Sequence, residues 1–178
     1  MTDEIDELMG PDLVLLLLRA AGSDPASQRD RVHGITRLEK LLFLADQESP
    51  LPGKIQEALV FRPYNYGPYS KQVYEAVDVL EDAELVEEEK ALHGRPLDAM
   101  EEASIDPDST EGLERRFYLT DDGREVADYL AKQHPEYHQL LDEIKGKYGN
   151  LSLRKLIQYV YRRYPKYAEE SLIRDEVF

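Results

Sequence analysis

His134, His138 and Asp142 recur at intervals of four, the spacing that aligns side chains along one face of a helix. Two imidazoles and a carboxylate are the N, N and O donors of a zinc-type site. No further donor completes the set nearby and Pro135 interrupts it, so a plain surface helix is the simpler reading. The chain has no cysteine, which excludes disulfides, thiolate metal sites and a thiol nucleophile. No Ser-His-Asp order, Gly-rich phosphate loop or paired-carboxylate motif stands out from so acidic a background. These residues predict a protein that is not an enzyme and has no resident metal or cofactor.

The chemistry of recognition is better represented. The segment FRPYNYGPYS, residues 61–70, holds three tyrosines, a phenylalanine, two prolines and a glycine. Gly67 permits a backbone conformation that other residues avoid, Pro68 fixes the next one, and Ser70 is placed to cap a following helix. With Phe61 turned inward, Tyr64, Tyr66 and Tyr69 are left to face outward, where tyrosine offers contact area at low entropic cost. The turn is then an architectural corner, a partner-binding patch, or both. A partner patch continues along the next helix through Lys71, Glu75 and Asp78.

A second cluster, KGKYGNLSLRKLIQYVYRRYPKY (145–167), has seven basic residues and no acid. Lys145, Lys147, Arg154, Lys155, Arg162 and Arg163 alternate with Tyr148, Tyr159, Tyr161 and Tyr164, a mixture suited to phosphates and stacked bases. The alternative is that Leu153, Leu156, Ile157 and Val160 pack this helix on the body, leaving the basic residues solvated or paired with acids. The acids gather upstream: residues 81–114 carry thirteen Asp and Glu against Lys90 and Arg95, most of the net charge of −15. Such separation points to a charged partner, or to attraction between two copies in a homodimer. An acidic surface also fits adaptation to salt.

The elements that must position these groups can be read in order. At 178 residues the chain suffices for one domain with a core. The run LVLLLL (13–18) is bracketed by Asp12 and Arg19 and falls short of the roughly 20 residues of a membrane span. The leader MTDEIDE lacks the basic start of a signal peptide. A cytoplasmic protein with no membrane segment is expected. Residues 12–21 read as a buried helix, 22–30 as a loop, and ITRLEKLLFLADQ as a helix opened by a Thr36–Glu39 capping box. Residues 57–62 read as extended, and Ser70 caps KQVYEAVDVLEDA, whose Val73, Val77 and Leu80 share a face. Strands over 85–89 and 114–120 flank a long acidic loop, 90–113. Thr120 caps another helix, Pro135 opens the next, and Ser152 caps LRKLIQYVYRRY, which Pro165 ends. Leu41, Leu42, Val77, Leu80, Phe117 and Leu119 are expected in one core.

That order describes a mainly α protein with a small antiparallel β wing: a winged helix-turn-helix with extra C-terminal helices. Residues 1–134 make the winged-helix core with its N-terminal helix, and 135–178 a helical extension packed on it. The stretches ITRLEKLLFLAD, FRPYNYGPYSKQVYEAVDVLEDAELV and FYLTDDGREV resemble the Panacea-domain proteins, a winged-helix family that includes SocA-type antitoxins and YwgA-like proteins. The resemblance covers roughly residues 35–130, and the Tyr-Gly-Pro element before a helix is its most specific part. It implies a non-enzymatic protein acting through a toxin or protease-type partner, as antitoxin or as proteolytic adaptor. The sequence departs from SocA-type members in lacking a tryptophan near the turn and in its long acidic wing.

In an ordinary winged helix, residues 70–83 would enter the major groove. Here Glu75, Asp78 and Asp82 would repel phosphates. Protein recognition is the leading expectation; a DNA-binding transcriptional regulator using the basic C-terminal helix is the alternative.

Overall fold

The computed structural model describes residues 8–49, 54–65, 67–92 and 113–177. In chain order they form α1 (Gly10–Arg19), α2 (Pro25–Gln28), β1 (Arg31–His33), α3 (Ile35–Gln47), α4 (Lys54–Ala58), β2 (Arg62–Tyr64), β3 (Gly67–Tyr69) and α5 (Lys71–Asp82). A hairpin of β4 (Val86–Leu92) and β5 (Leu113–Leu119) follows. Then come α6 (Asp121–Gln133), α7 (Pro135–Tyr148), α8 (Leu153–Arg163), a 3-10 turn (Pro165–Ala168) and α9 (Arg174–Val177). The fold is mainly helical with two small antiparallel sheets, ordered β1-β5-β4 and β2-β3. Among the described residues no helix is long and apolar enough to cross a membrane.

The run LVLLLL lies in α1, and each of its residues is at most 2% exposed. A helix apolar on every side must be covered on every side, and α1 touches α3, α5, α6, α7, β1 and β5. One core contains Leu41, Leu42, Val77, Leu80, Phe117 and Leu119 as expected, together with Leu141, Leu156 and Val160 from the last helices.

In the larger sheet, Val86 pairs with Leu119, Glu88 with Phe117 and Lys90 with Arg115. Directly opposed residues share a face, so this face passes from apolar at the core end to charged as the hairpin projects. Thr120 caps α6 by accepting the Gly123 N–H at 2.9 Å. A Cβ at Gly123 would collide with the Leu85 carbonyl, which explains the glycine in this first turn. Ser152 likewise accepts the Lys155 N–H.

Several expectations are corrected. The 22–30 loop contains α2, and β1 follows it, both too short to leave a periodic signal. Residues 54–58 are helical and the extended stretch begins only at Arg62. The Thr36–Glu39 capping box does not form, because α3 starts after Gly34 and buries both side chains. Ser70 stands at the N-cap of α5, but its hydroxyl donates to Gln72 Oε1. The acidic loop is shorter than expected, since β4 runs to Leu92 and β5 begins at Leu113. The rest of it, and Tyr66, lie outside the described residues.

The C-terminal end of α1 is buried, so its last carbonyls need partners inside the protein. Lys145 of α7 supplies them: its Nζ donates to the carbonyls of Leu17, Leu18 and Ala20, each at 2.9 Å. Asp142 accepts the Gly22 N–H, and Gln28 joins the backbone of Ser23 and Asp24 to the Lys145 carbonyl. Burial pushes the Lys145 ammonium down to about 7, against the pull of Asp30 and Asp142.

Lys145→Met should therefore cost about 3 kcal/mol or more, because buried carbonyls lose their donor; urea denaturation measures it. The folded chain releases this proton near pH 7, whereas the unfolded chain holds it to about 10.5. Stability of the wild type relative to Lys145→Met should then rise between those pH values. Leu80→Ala in the shared core should cost about 2–5 kcal/mol in the same assay.

Candidate protein-recognition site

The aromatic turn is held from beneath by two buried charges on α3. Glu39 Oε1 accepts from Lys40 Nζ at 2.9 Å, and Oε2 accepts the Ser70 N–H at 2.9 Å. Lys40 Nζ also donates to the Pro68 carbonyl at 2.8 Å. Lys40 is fully buried and Glu39 nearly so. Burial raises the Glu39 carboxyl above its ordinary range, opposed by the Lys40 charge and the Ser70 N–H. Gly67 sits at φ 90° with the Tyr161 ring so close that a Cβ would meet it at 2.7 Å. Both conformation and space demand glycine there. On the far side, the Leu172 N–H reaches the Asn65 carbonyl at 2.7 Å.

So braced, the turn displays a ladder of rings. Tyr64 and Tyr69 lie 5.0 Å apart, and Tyr69 and Tyr74 5.6 Å, with the Arg62 guanidinium over Tyr64 at 4.6 Å. Phe61 turns inward against Phe43. Tyr64 is exposed and Tyr69 half-buried; Lys71 and Glu75 are exposed and pair at 3.6 Å. The ladder opens on a cleft of about 660 Å³ lined by Tyr74, Asp78, Glu81, Glu88, Lys90 and Arg115. Tyr74, Asp78 and Glu81 share one stripe of α5, spaced four and three residues apart. Arg115 holds Glu88 in a bidentate pair, both bonds 2.8 Å, which lowers the Glu88 carboxyl below its ordinary range.

The basic cluster divides differently. Lys145 is buried on α1 and cannot reach a phosphate, which removes it from the nucleic-acid set. Lys147, Lys155, Arg162 and Arg163 are exposed and Arg154 half-buried. Their tyrosines point inward rather than toward a base. The Glu48 carboxylate accepts from the Tyr148 and Tyr159 hydroxyls at 2.8 and 3.1 Å, and from Tyr164 at 3.5 Å. Tyr161 is buried against Gly67, its hydroxyl 2.6 Å from Ser171 Oγ. Burial pushes the Tyr164 hydroxyl up to about 12, with Glu48 adding to the shift. Leu153, Leu156, Ile157 and Val160 face the core, the packed alternative for α8.

Asp142 is occupied by the Gly22 N–H, and His134 sits between α6 and α7 with its ring against Tyr137. Among the described residues no cluster of His, Cys, Asp and Glu could hold a metal ion.

Residues 38–165 match the family described as Antitoxin SocA-like, Panacea domain. The chain belongs to this family. No curated protein matches it. The matched span of the Panacea domain takes in most of the brace, the ladder, the cleft and α8. It leaves out α1, the helix on which Lys145 acts.

Sequence reading placed Tyr64, Tyr66, Tyr69, Lys71, Glu75 and Asp78 in one patch; in the structure Tyr64 stacks on Tyr69, Lys71 pairs with Glu75, and Asp78 lines the cleft. It missed Glu39 and Lys40, Arg62 and Tyr74, the Glu81–Glu88–Arg115 cleft, and Glu48. One signal was available. Glu39 and Lys40 interrupt a run whose neighbours Leu38, Leu41, Leu42, Phe43 and Leu44 cover every side of a helix, so no solvent face remained for them.

Lys40→Ala should destabilise the fold by roughly 3–5 kcal/mol, the cost of leaving one buried charge without its partner. Replacing both charges, as Glu39→Leu with Lys40→Met, should cost less than Lys40→Ala alone. Denaturant midpoints of the two variants test the difference.

Proposed function

We propose that this Panacea-domain protein is a non-enzymatic winged-helix module of antitoxin type, which binds a protein toxin through the tyrosine ladder and the exposed side of α5. On this reading α3 and α5 are the helix-turn-helix pair, the β4–β5 hairpin is the wing, and residues 135–178 extend a core of residues 1–134. One observation carries the reading. The helix that would read DNA in such a scaffold exposes Glu75 and Asp78 beside stacked tyrosines, a surface that repels phosphate and suits a protein. An adaptor that passes the captured toxin to a protease would use the same surface. Family membership supports the antitoxin type.

A second reading rests on Lys147, Lys155, Arg162, Arg163 and Lys166, all of them exposed. On it, the protein regulates transcription by touching DNA through α8. The two separate cleanly. Glu75→Lys with Asp78→Lys should abolish co-purification of the partner from the native host, while Arg162→Glu with Arg163→Glu should leave it. Duplex DNA should bind weakly and without sequence preference, with affinity falling steeply as salt rises. Nanomolar binding to one operator at near-physiological salt, lost in the arginine variant, would install the regulator instead.

A further inference from the structure

Guanidinium groups already occupy two parts of the recognition face. Arg62 lies over the Tyr64 and Tyr69 rings at 4.6 and 5.3 Å, and Arg115 forks onto Glu88. Between these two sites lie the half-buried Tyr74 ring and the carboxylates of Asp78 and Glu81. Glu81 Oε1 is shut off from solvent and meets no N–H donor among the described residues; its neighbour is the Glu88 carboxyl, with which Glu81 shares a hydrogen bond. The surroundings favour a cation, since from Lys71 to Lys90 eight carboxylates stand against two lysines. Arginine fits better than lysine, because a planar guanidinium both stacks on a ring and forks onto carboxylates.

We propose that this face docks an extended, arginine-bearing segment of the protein partner, with one guanidinium stacked on Tyr74 and bridging the Asp78 and Glu81 carboxylates. The inference rests on the protein-binding reading and adds the chemistry of the bound segment. Stacking leads the segment along the ladder, and the cleft receives the charge.

Docking is coupled to a proton. Burial, then the hydrogen bond with Glu88 and the Glu88 charge, pushes the Glu81 carboxyl up to about 7, against the pull of Arg115. Asp78 on the same helix adds to the rise, and Lys90 completes the charged lining of the cleft. From the other side Glu81 borders a second hollow, where Glu84, Glu87, Asp121, Asp122 and Arg124 stand. A guanidinium between Asp78 and Glu81 requires Glu81 ionised, so at low pH docking must expel its proton to solvent. Affinity therefore rises with pH across the neutral range.

The test uses the full chain and a fluorescein-labelled nonapeptide of alternating arginine and serine, read by anisotropy at about 150 mM salt, where long-range attraction is screened. Binding is expected to strengthen about tenfold from pH 6 to pH 8. Glu81→Gln, which keeps the shape of the side chain, should abolish that dependence, and Tyr74→Leu should weaken binding at both pH values. A lysine–serine peptide should bind several-fold more weakly. Glu84→Gln with Asp122→Asn, in the second hollow, should change nothing. A flat pH profile in the wild type, or equal weakening by the second-hollow variant, would overturn the proposal by showing diffuse attraction to an acidic protein. Absence of peptide binding while Glu75→Lys with Asp78→Lys still destroys the partner complex would overturn it too, and leave the protein-binding reading standing.

Discussion

A helix that is apolar on every side ends inside the protein, and the carbonyls at its end must be met there. In α1 that constraint falls on Leu17, Leu18 and Ala20, and the ammonium of Lys145 meets all three. The remaining layout follows from this contact. α7 must cross the C-terminal end of α1 for its lysine to arrive, and Gln28 and Asp142 then hold the connecting backbone against it. A cation at a helix C-terminus is also favoured by the helix dipole, so the contact answers both hydrogen bonding and field.

The same logic recurs at the aromatic turn. A turn lying over the core cannot leave backbone groups bare, so α3 sends Glu39 to the Ser70 N–H and Lys40 to the Pro68 carbonyl. The two charges satisfy each other as well. The backbone that carries the rings is thereby held from below. Rigidity matters for binding, because side chains already ordered lose little entropy when a partner arrives. The inward tyrosines of α8 serve the opposite purpose. By reaching Glu48 and Gly67, Tyr159 and Tyr161 bind α8 to α3 and to the turn, while Lys155, Arg162 and Arg163 stay exposed.

Much of this was legible from the chain. Apolar spacing located α1, α3, α5, α6, α7 and α8 within a few residues, Thr120 and Ser152 marked their caps, and the six core residues named from periodicity do share one core. The stacking of Tyr64 on Tyr69 lies within the turn that the aromatic cluster marked. What was not legible was direction. Tyr148, Tyr159 and Tyr164 look identical to Tyr64 and Tyr69 in sequence, yet the first three turn to a carboxylate about a hundred residues upstream. Lys145 was indistinguishable from Lys147, though one helix turn carries two neighbouring lysines to opposite environments.

The sequence by itself determined the elements and the charge of their surfaces, because periodicity, caps and composition are local properties of the chain. It also determined that α5 carries the acids Glu75, Asp78 and Asp82. Only the tertiary structure decided which polar groups are buried and what they hold. Those assignments depend on contacts such as Lys145 to α1, Glu39 to Ser70 and Arg115 to Glu88, each between residues far apart in the chain. A charge inside a protein is tolerable only where a partner waits for it, and where that partner waits is settled by packing.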